Sequence, residues 1–451
     1  MQDPLPIIPF TKAPDTSVSV PGSKSLTNRS LLLAALCPEE VLLTDALFSR
    51  DTQIMIQGLK DLGFSVAANE SEKNIRIQGA AGSIPNKEAS IHVGNAGTAA
   101  RFLTALVCLS PSGTYKFDSD EAMYSRPIKG LTDALENQGA EFKWHGEEGC
   151  FPFTVKTSGF KGGDISVDAS ASSQLLSALL MVAPFCPKPT KVVLKGETVS
   201  KPFVTMTVKL MEQFGVTVNT SEEGAFQFET DTLPGMPSKT YAIEPDATAA
   251  SYFLALPLAV SGSIEVLGLK EEMLQGDIHF VDVLKKTGLK LEWTERGLKS
   301  TFNDAAEPID YDFNAISDTF LTLAALSPLL RGPSTFKGIA HTRKQETDRI
   351  ASTTTELLKM GQSVDETNDS ITVDPSYPEL HLRAEAARAV GRPTRVKTYE
   401  DHRIAMSFAI LGSHNLMEDG EAWLQIIDPR CCGKTFPEFF DVLETVRNST
   451  L

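Results

Sequence analysis

One pattern of apolar and polar positions returns along the chain. An amphipathic stretch runs into a glycine and then into a short apolar or β-branched run. GLKDLGFSV, ALENQGAEF, LMEQFGVTV, VLKKTGLKL and ELLKMGQSV are five copies, with their glycines at Gly63, Gly139, Gly215, Gly288 and Gly361, 73 to 76 residues apart. A glycine just past a helix supplies the left-handed C′ conformation, so each copy predicts a helix stop followed by a strand. The period is longer than that of solenoid repeats, which predicts a small packed α/β module for each unit.

A second helix recurs out of phase and is apolar on nearly every face. Its copies are SKSLTNRSLLLAALC from Ser23, GNAGTAARFLTALVCL from Gly94, SASSQLLSALLMVA from Ser170, DATAASYFLALPLAV from Asp246, SDTFLTLAALSPLL from Ser317 and DHRIAMSFAIL from Asp401. A helix without a polar face must be buried. The polar openings read as caps for its free N–H groups. Six modules predict two domains of three, with the segment near Thr240 to Pro245 dividing the third module from the fourth.

Length and composition fit this reading. The chain has 451 residues, 41% hydrophobic and 22% charged, as expected of a globular protein with more than one core. Its net charge of −16 argues against nucleic acid or an anionic membrane as partner. The six cysteines show no CxxC pair and the seven histidines no HExxH set, so neither a disulfide framework nor a metal site is expected. The N-terminus lacks the pattern of a signal peptide, and no apolar stretch reaches the length of a membrane span. A reducing cytoplasm is the expected compartment.

Against the acidic background, cations gather at the polar mouths of the apolar helices: Lys24, Arg29, Arg101 and Arg403. Others lie between repeats: Arg126 in YSRPI, Arg343 and Arg349 in HTRKQETDR, and Lys434 in CCGKTF. Helix N-termini carry positive partial charge, so this layout suits phosphate and carboxylate ligands. Each motif alone has an ordinary reading. Ser-Lys-Ser is a cap, Asp401-His402-Arg403 a cap with a surface pair, and Arg343, Glu346 and Arg349 a solvated salt-bridge ladder on one helix. Recurrence at equivalent places of the repeat favours a site.

These motifs together resemble the 5-enolpyruvylshikimate 3-phosphate synthase family of enolpyruvyl transferases over nearly the whole chain. PGSKSLTNR, GNAGTAAR, SRPI, SSQLLSALL, SKPF, ETDR, YEDHRIAM and KTFP follow in the family's order. The resemblance implies a two-domain inside-out α/β barrel of six βαβαββ-like repeats. Residues 23–242 form one domain, and residues 1–22 plus 243–451 the other, closing like a clamp. It implies transfer of the enolpyruvyl group of phosphoenolpyruvate to the 5-hydroxyl of shikimate 3-phosphate, through a tetrahedral intermediate and with release of phosphate. That reaction belongs to aromatic amino acid biosynthesis. A monomer without cofactor or metal is expected.

Carried over by motif, the catalytic set is Lys24, Asp318, Glu346 and His402. Phosphoenolpyruvate falls to Lys24, Gly97, Arg126, Gln174, Arg349, Arg403 and Lys434. The acceptor falls to Lys24, Ser25, Arg29, Ser172, Ser173, Gln174, Ser200, Phe203, Asp318, His341 and Gln345. Four positions depart from the common family pattern. Phe203 stands for a tyrosine, Gln345 for a lysine, His341 for an asparagine and Phe102 for a proline. Three of these fall on the acceptor side and keep open a transferase with another acceptor, or a catalytically silent paralogue. The sister enzymes acting on UDP-N-acetylglucosamine carry a cysteine before their RP motif, where this chain has Met123 in DEAMYSRP.

Overall fold

A computed structural model describes residues 1–196, 201–220, 225–228, 239–304 and 306–450. The chain divides into two compact units, one continuous (Gly22–Glu244) and one discontinuous (Met1–Pro21 with Pro245–Leu451). Each unit carries three repeats of an inside-out α/β fold, in which the apolar helices lie buried and small sheets cover them.

The second repeat shows the plan. Strand Glu88–His92 leads into the apolar helix Gly97–Val107 and then into strand Gly113–Asp118, parallel to the first. The amphipathic helix Lys129–Asn137 follows, and the hairpin Glu141–Trp144 and Phe153–Thr157 returns antiparallel to close a four-stranded sheet. A helix-bearing connection between parallel strands and a short turn between antiparallel ones are what backbone geometry permits. Strands alternate: in Asn74–Gln78, Ile75 and Ile77 are buried while Arg76 and Gln78 face solvent. The five glycines at helix ends all have positive φ, from 80 to 112°.

Every residue from Leu26 to Leu36 is buried in helix Lys24–Leu36, as is every residue of Gly97–Val107 and of His402–Gly412. Each buried leucine or phenylalanine contributes about 1.5–3 kcal/mol, so these helices form the cores of both units. Ser23, Ser172, Asp246 and Asp401 cap four of the six apolar helices with their side chains. Among the described residues no helix is long and apolar enough to cross a membrane.

Three repeats take a strand from far along the chain. Thr240–Ala242 pairs parallel with Glu40–Thr44 and completes the first repeat's sheet. Asp15–Val18 pairs parallel with Ser263–Leu267 and opens the fourth repeat. The sixth repeat departs from the plan. Thr394–Lys397 and Leu424–Ile427 are parallel, but no hairpin follows. The third strand is Leu5–Ile7, antiparallel to Leu424–Ile427.

Candidate active site

In the discontinuous unit, residues from four separate motifs converge on Arg349, whose side chain is 1% exposed. Its Nε donates to Asp401 Oδ2 at 2.7 Å, its Nη1 to Asp318 Oδ1 at 2.9 Å and its Nη2 to Glu346 Oε2 at 3.0 Å. Gln345 Oε1 also accepts from Nη1. Arg403 Nη2 donates to the other oxygen of Asp318 at 2.7 Å, and Lys434 Nζ lies 3.0 Å from Glu346 Oε1. Three cations and three carboxylates thus interlock: Arg349, Arg403 and Lys434 with Asp318, Glu346 and Asp401.

Burial works against the charge on both arginines, yet the carboxylates outweigh it and hold each guanidinium above its ordinary pKa. Asp401, Glu346 and Asp318 do this for Arg349; Asp318 leads for Arg403. Below this layer, Asp246 caps helix Ala247–Ala255, and the Gln275 amide donates to Asp246, Thr248 and Asp277. Asp277 is buried, and burial first, then Asp318, pushes its carboxyl up to about 7 against the pull of Arg403. His341 shares a hydrogen bond with Ser317 Oγ at 2.8 Å, and burial lowers its pKa, against the opposing pull of Asp318. The His402 ring, buried, has Nδ1 3.8 Å from Asp401 Oδ1.

One expectation needs correction. Arg343, Glu346 and Arg349 do not share a helix, and they are not a solvated ladder. A 3-10 turn ends at Lys344, the backbone breaks at Gln345, and the α-helix begins at Arg349 with Asp348 as its cap. Arg343 turns away: its Nη1 donates to both carboxylate oxygens of Asp348, its Nε to the Asn368 carbonyl and its Nη2 to the Thr367 carbonyl. These bonds with the neighbouring loop outcompete helix continuity.

In the continuous unit, Arg101 joins Gly97 and Gln174. Its Nη1 donates to the Gly97 carbonyl at 3.1 Å and to Gln174 Oε1 at 2.9 Å, and its Nη2 donates to the Pro127 carbonyl. Arg126 donates to Asn95 Oδ1 at 3.2 Å. The two guanidiniums close on Gly97: a Cβ there would stand 2.6 Å from Arg101 Nη1 and 3.0 Å from Arg126 Nη2, so a side chain at this position would displace them. Ser172 accepts from the Gln174 N–H, and Ser173 is buried beside it at the helix start.

Arg29 is buried without a carboxylate partner among the described residues. It donates to Thr207 Oγ1, Ser177 Oγ and the Ser25 carbonyl, and its guanidinium lies 5.2 Å from the centre of the Phe102 ring. Burial lowers its pKa to about 9, which leaves it charged at neutral pH. Phe203 joins this group through its carbonyl, which accepts from Thr207 at 2.7 Å. Lys24 opens its helix and stands 3.4 Å from Asp51. Ser200 lies outside the described residues.

Sequence reasoning missed Asp401 as a partner of Arg349, since it reads as a cap, and it performs both tasks. It also missed Asp51, Asp277 and Gln275, which carry no motif of their own.

The chain matches the family model of EPSP synthase (3-phosphoshikimate 1-carboxyvinyltransferase) over residues 11–443. The chain belongs to the EPSP synthase family. A 3-phosphoshikimate 1-carboxyvinyltransferase of Opitutus terrae is 46% identical over 455 residues, covering 100% of this chain and 99% of its own. One from Nostoc punctiforme is 37% identical, covering 97% of this chain and 98% of its own. The fold agrees: EPSP synthase from Acinetobacter baumannii superposes with a TM-score of 0.76 at 21% identity, covering 98% of each chain. Membership in the EPSP synthase family makes the chain a transferase of the shikimate pathway, with phosphoenolpyruvate and shikimate 3-phosphate as its small-molecule substrates.

Proposed function

We propose that the chain moves the enolpyruvyl group of phosphoenolpyruvate to the 5-hydroxyl of shikimate 3-phosphate by addition and elimination, using the residues above. The hydroxyl oxygen bonds to C2 of phosphoenolpyruvate while C3 gains a proton. The C2–O bond to phosphate then breaks, C3 gives the proton back, and the enol ether and inorganic phosphate result. Asp318 takes the hydroxyl proton, and Glu346 and Lys24 serve the proton at C3. His402 stands in the same set. Arg349, Arg403 and Lys434 take the phosphate and carboxylate of phosphoenolpyruvate from the discontinuous unit. Lys24, Gly97, Arg126 and Gln174 are the corresponding set of the continuous unit.

Ser25, Arg29, Ser172, Ser173, Gln174, Ser200 and Phe203 are assigned to the acceptor, with Asp318, His341 and Gln345. With Gln345 in place of the family's lysine, the acceptor meets an amide that Arg349 engages. The chain acts as a monomer in the cytoplasm on this reading, and six free thiols suit a reducing compartment.

The observation that carries the assignment is the double engagement of Asp318 by Arg349 and Arg403. The two arginines fix the position of the carboxylate, and a general base has to be held within reach of the proton it takes. The test is phosphate release from phosphoenolpyruvate in the presence of shikimate 3-phosphate. Asp318→Asn preserves the shape between the two arginines and should lower kcat at least about 100-fold, with both KM values changed far less. Undiminished turnover in Asp318→Asn sinks the assignment.

A further inference from the structure

The segment leading into helix His402–Gly412 adopts a conformation its residues disfavour. Tyr399 and Glu400 have φ of 55° and 60°, two successive left-handed residues, neither of them glycine or asparagine. There Cβ crowds the following carbonyl, and such a backbone persists only where its surroundings hold it. A turn serving connection alone would be met by glycine at either place.

Two ties hold this one, and both reach the same helix, Arg349–Lys359. At one end the Asp401 N–H donates to the Thr398 carbonyl at 2.9 Å, closing the turn, and the Asp401 carboxylate accepts from Arg349 Nε at 2.7 Å. At the other, the Tyr399 hydroxyl donates to Glu356 Oε1 at 2.7 Å. Glu356 is 0% exposed, and Lys359 Nζ lies 2.7 Å from the same oxygen. Lys397 Nζ sits 4.9 Å from the centre of the Tyr399 ring. Arg349 and Glu356 are separated by two helical turns, so they share a face about 10 Å apart along the axis. The left-handed pair is therefore fastened to one helix face at two points.

We propose that Tyr399 and Glu356 are positioning residues for the transferase reaction: their buried hydrogen bond holds the left-handed turn so that Asp401 keeps Arg349 aimed and starts the helix that carries His402 and Arg403. Neither touches substrate. Both act through Asp401, and the inference rests on the reading above that Arg349 holds phosphoenolpyruvate.

Steady-state kinetics on the full chain, with thermal unfolding measured alongside, tests this. Tyr399→Phe removes one oxygen and should raise KM for phosphoenolpyruvate about tenfold, as expected for a lost hydrogen bond to a charged group. KM for shikimate 3-phosphate should move about twofold at most. Glu356→Ala should copy this change, whereas Glu356→Gln, which retains an acceptor oxygen, should restore values near the parent's. Glu400→Gly added to Tyr399→Phe should recover most of the loss, because glycine accepts the left-handed region without the tie.

Two results overturn the inference alone. One is a Tyr399→Phe enzyme that melts earlier but binds phosphoenolpyruvate unchanged. The other is a double variant no better than Tyr399→Phe while Arg349→Gln raises KM for phosphoenolpyruvate. An Arg349→Gln enzyme with unchanged KM overturns the assignment of Arg349 itself, and this inference with it.

Discussion

Taking a guanidinium out of water costs several kcal/mol unless carboxylates share the space. Arg349 has three, and each of Asp318, Glu346 and Asp401 comes from a different stretch of sequence. The sequence marked Asp318 and Glu346 through their motifs, but it left Asp401 as a cap because a capping aspartate needs no other reason to be there. Asp277 was not legible at all, since its setting comes from packing. It is 4% exposed, with its proton held up to about pH 7 by burial and by Asp318. An unfolded aspartate titrates near 3.9. The folded chain therefore binds this proton more tightly, and its contribution to stability is full below about pH 4 and fades as pH rises through about 7. Asp277→Asn keeps the shape and does not titrate. Relative to the parent, it should gain on the order of 1–3 kcal/mol between pH 4.5 and pH 7.5, read from urea midpoints. A difference that stays flat with pH would show an ordinary carboxyl.

Elements were legible where a local rule acts alone. The glycine stops and the four side-chain caps follow from backbone sterics and orphan N–H groups, and both are written in single residues. The helix break at Gln345 was not, because Arg343 is drawn off by carbonyls of a loop some 25 residues later. The start of helix Gly97–Val107 lies between these cases. GNAGTAAR announces a close backbone approach, yet only the fold shows that the atoms approaching Gly97 belong to Arg101 and Arg126. Both are ends of long side chains, so Gly97→Ala should move the guanidiniums more than it disturbs the helix. The expected outcome is a rise of about tenfold or more in KM for phosphoenolpyruvate, with an unfolding temperature within about 3 °C of the parent's. A collapse of stability with unchanged KM in the folded fraction would contradict it.

At the scale of the whole molecule, the periodic pattern predicted six repeats but not how the last would be completed. Its missing hairpin is replaced by Leu5–Ile7, and the fourth repeat begins with Asp15–Val18. No local pattern reports a pairing between residues more than 400 positions apart. Removing residues 1–21 should therefore loosen Ser263–Leu267 and Leu424–Ile427, both of which lose a neighbouring strand. Their amide hydrogen exchange should quicken by at least about tenfold, with little change in Glu40–Thr44, whose partner Thr240–Ala242 is kept. Equal acceleration in all three strands would argue against this pairing as the cause.

Synthesis on the ribosome delivers these pieces in an awkward order. The continuous unit has all its strands once Glu244 has emerged, and a domain that is complete folds as a unit while the rest is still being made. The first 21 residues come out earliest and wait for their partners, Asp15–Val18 until Ser263–Leu267 is made and Leu5–Ile7 until Leu424–Ile427, when the chain is nearly finished. In the interval Ile7, Phe10 and Val18, all buried in the finished protein, wait without a core to cover them. A nascent chain that stalls midway would therefore display a greasy leading tail beside a finished lobe, an invitation to chaperones.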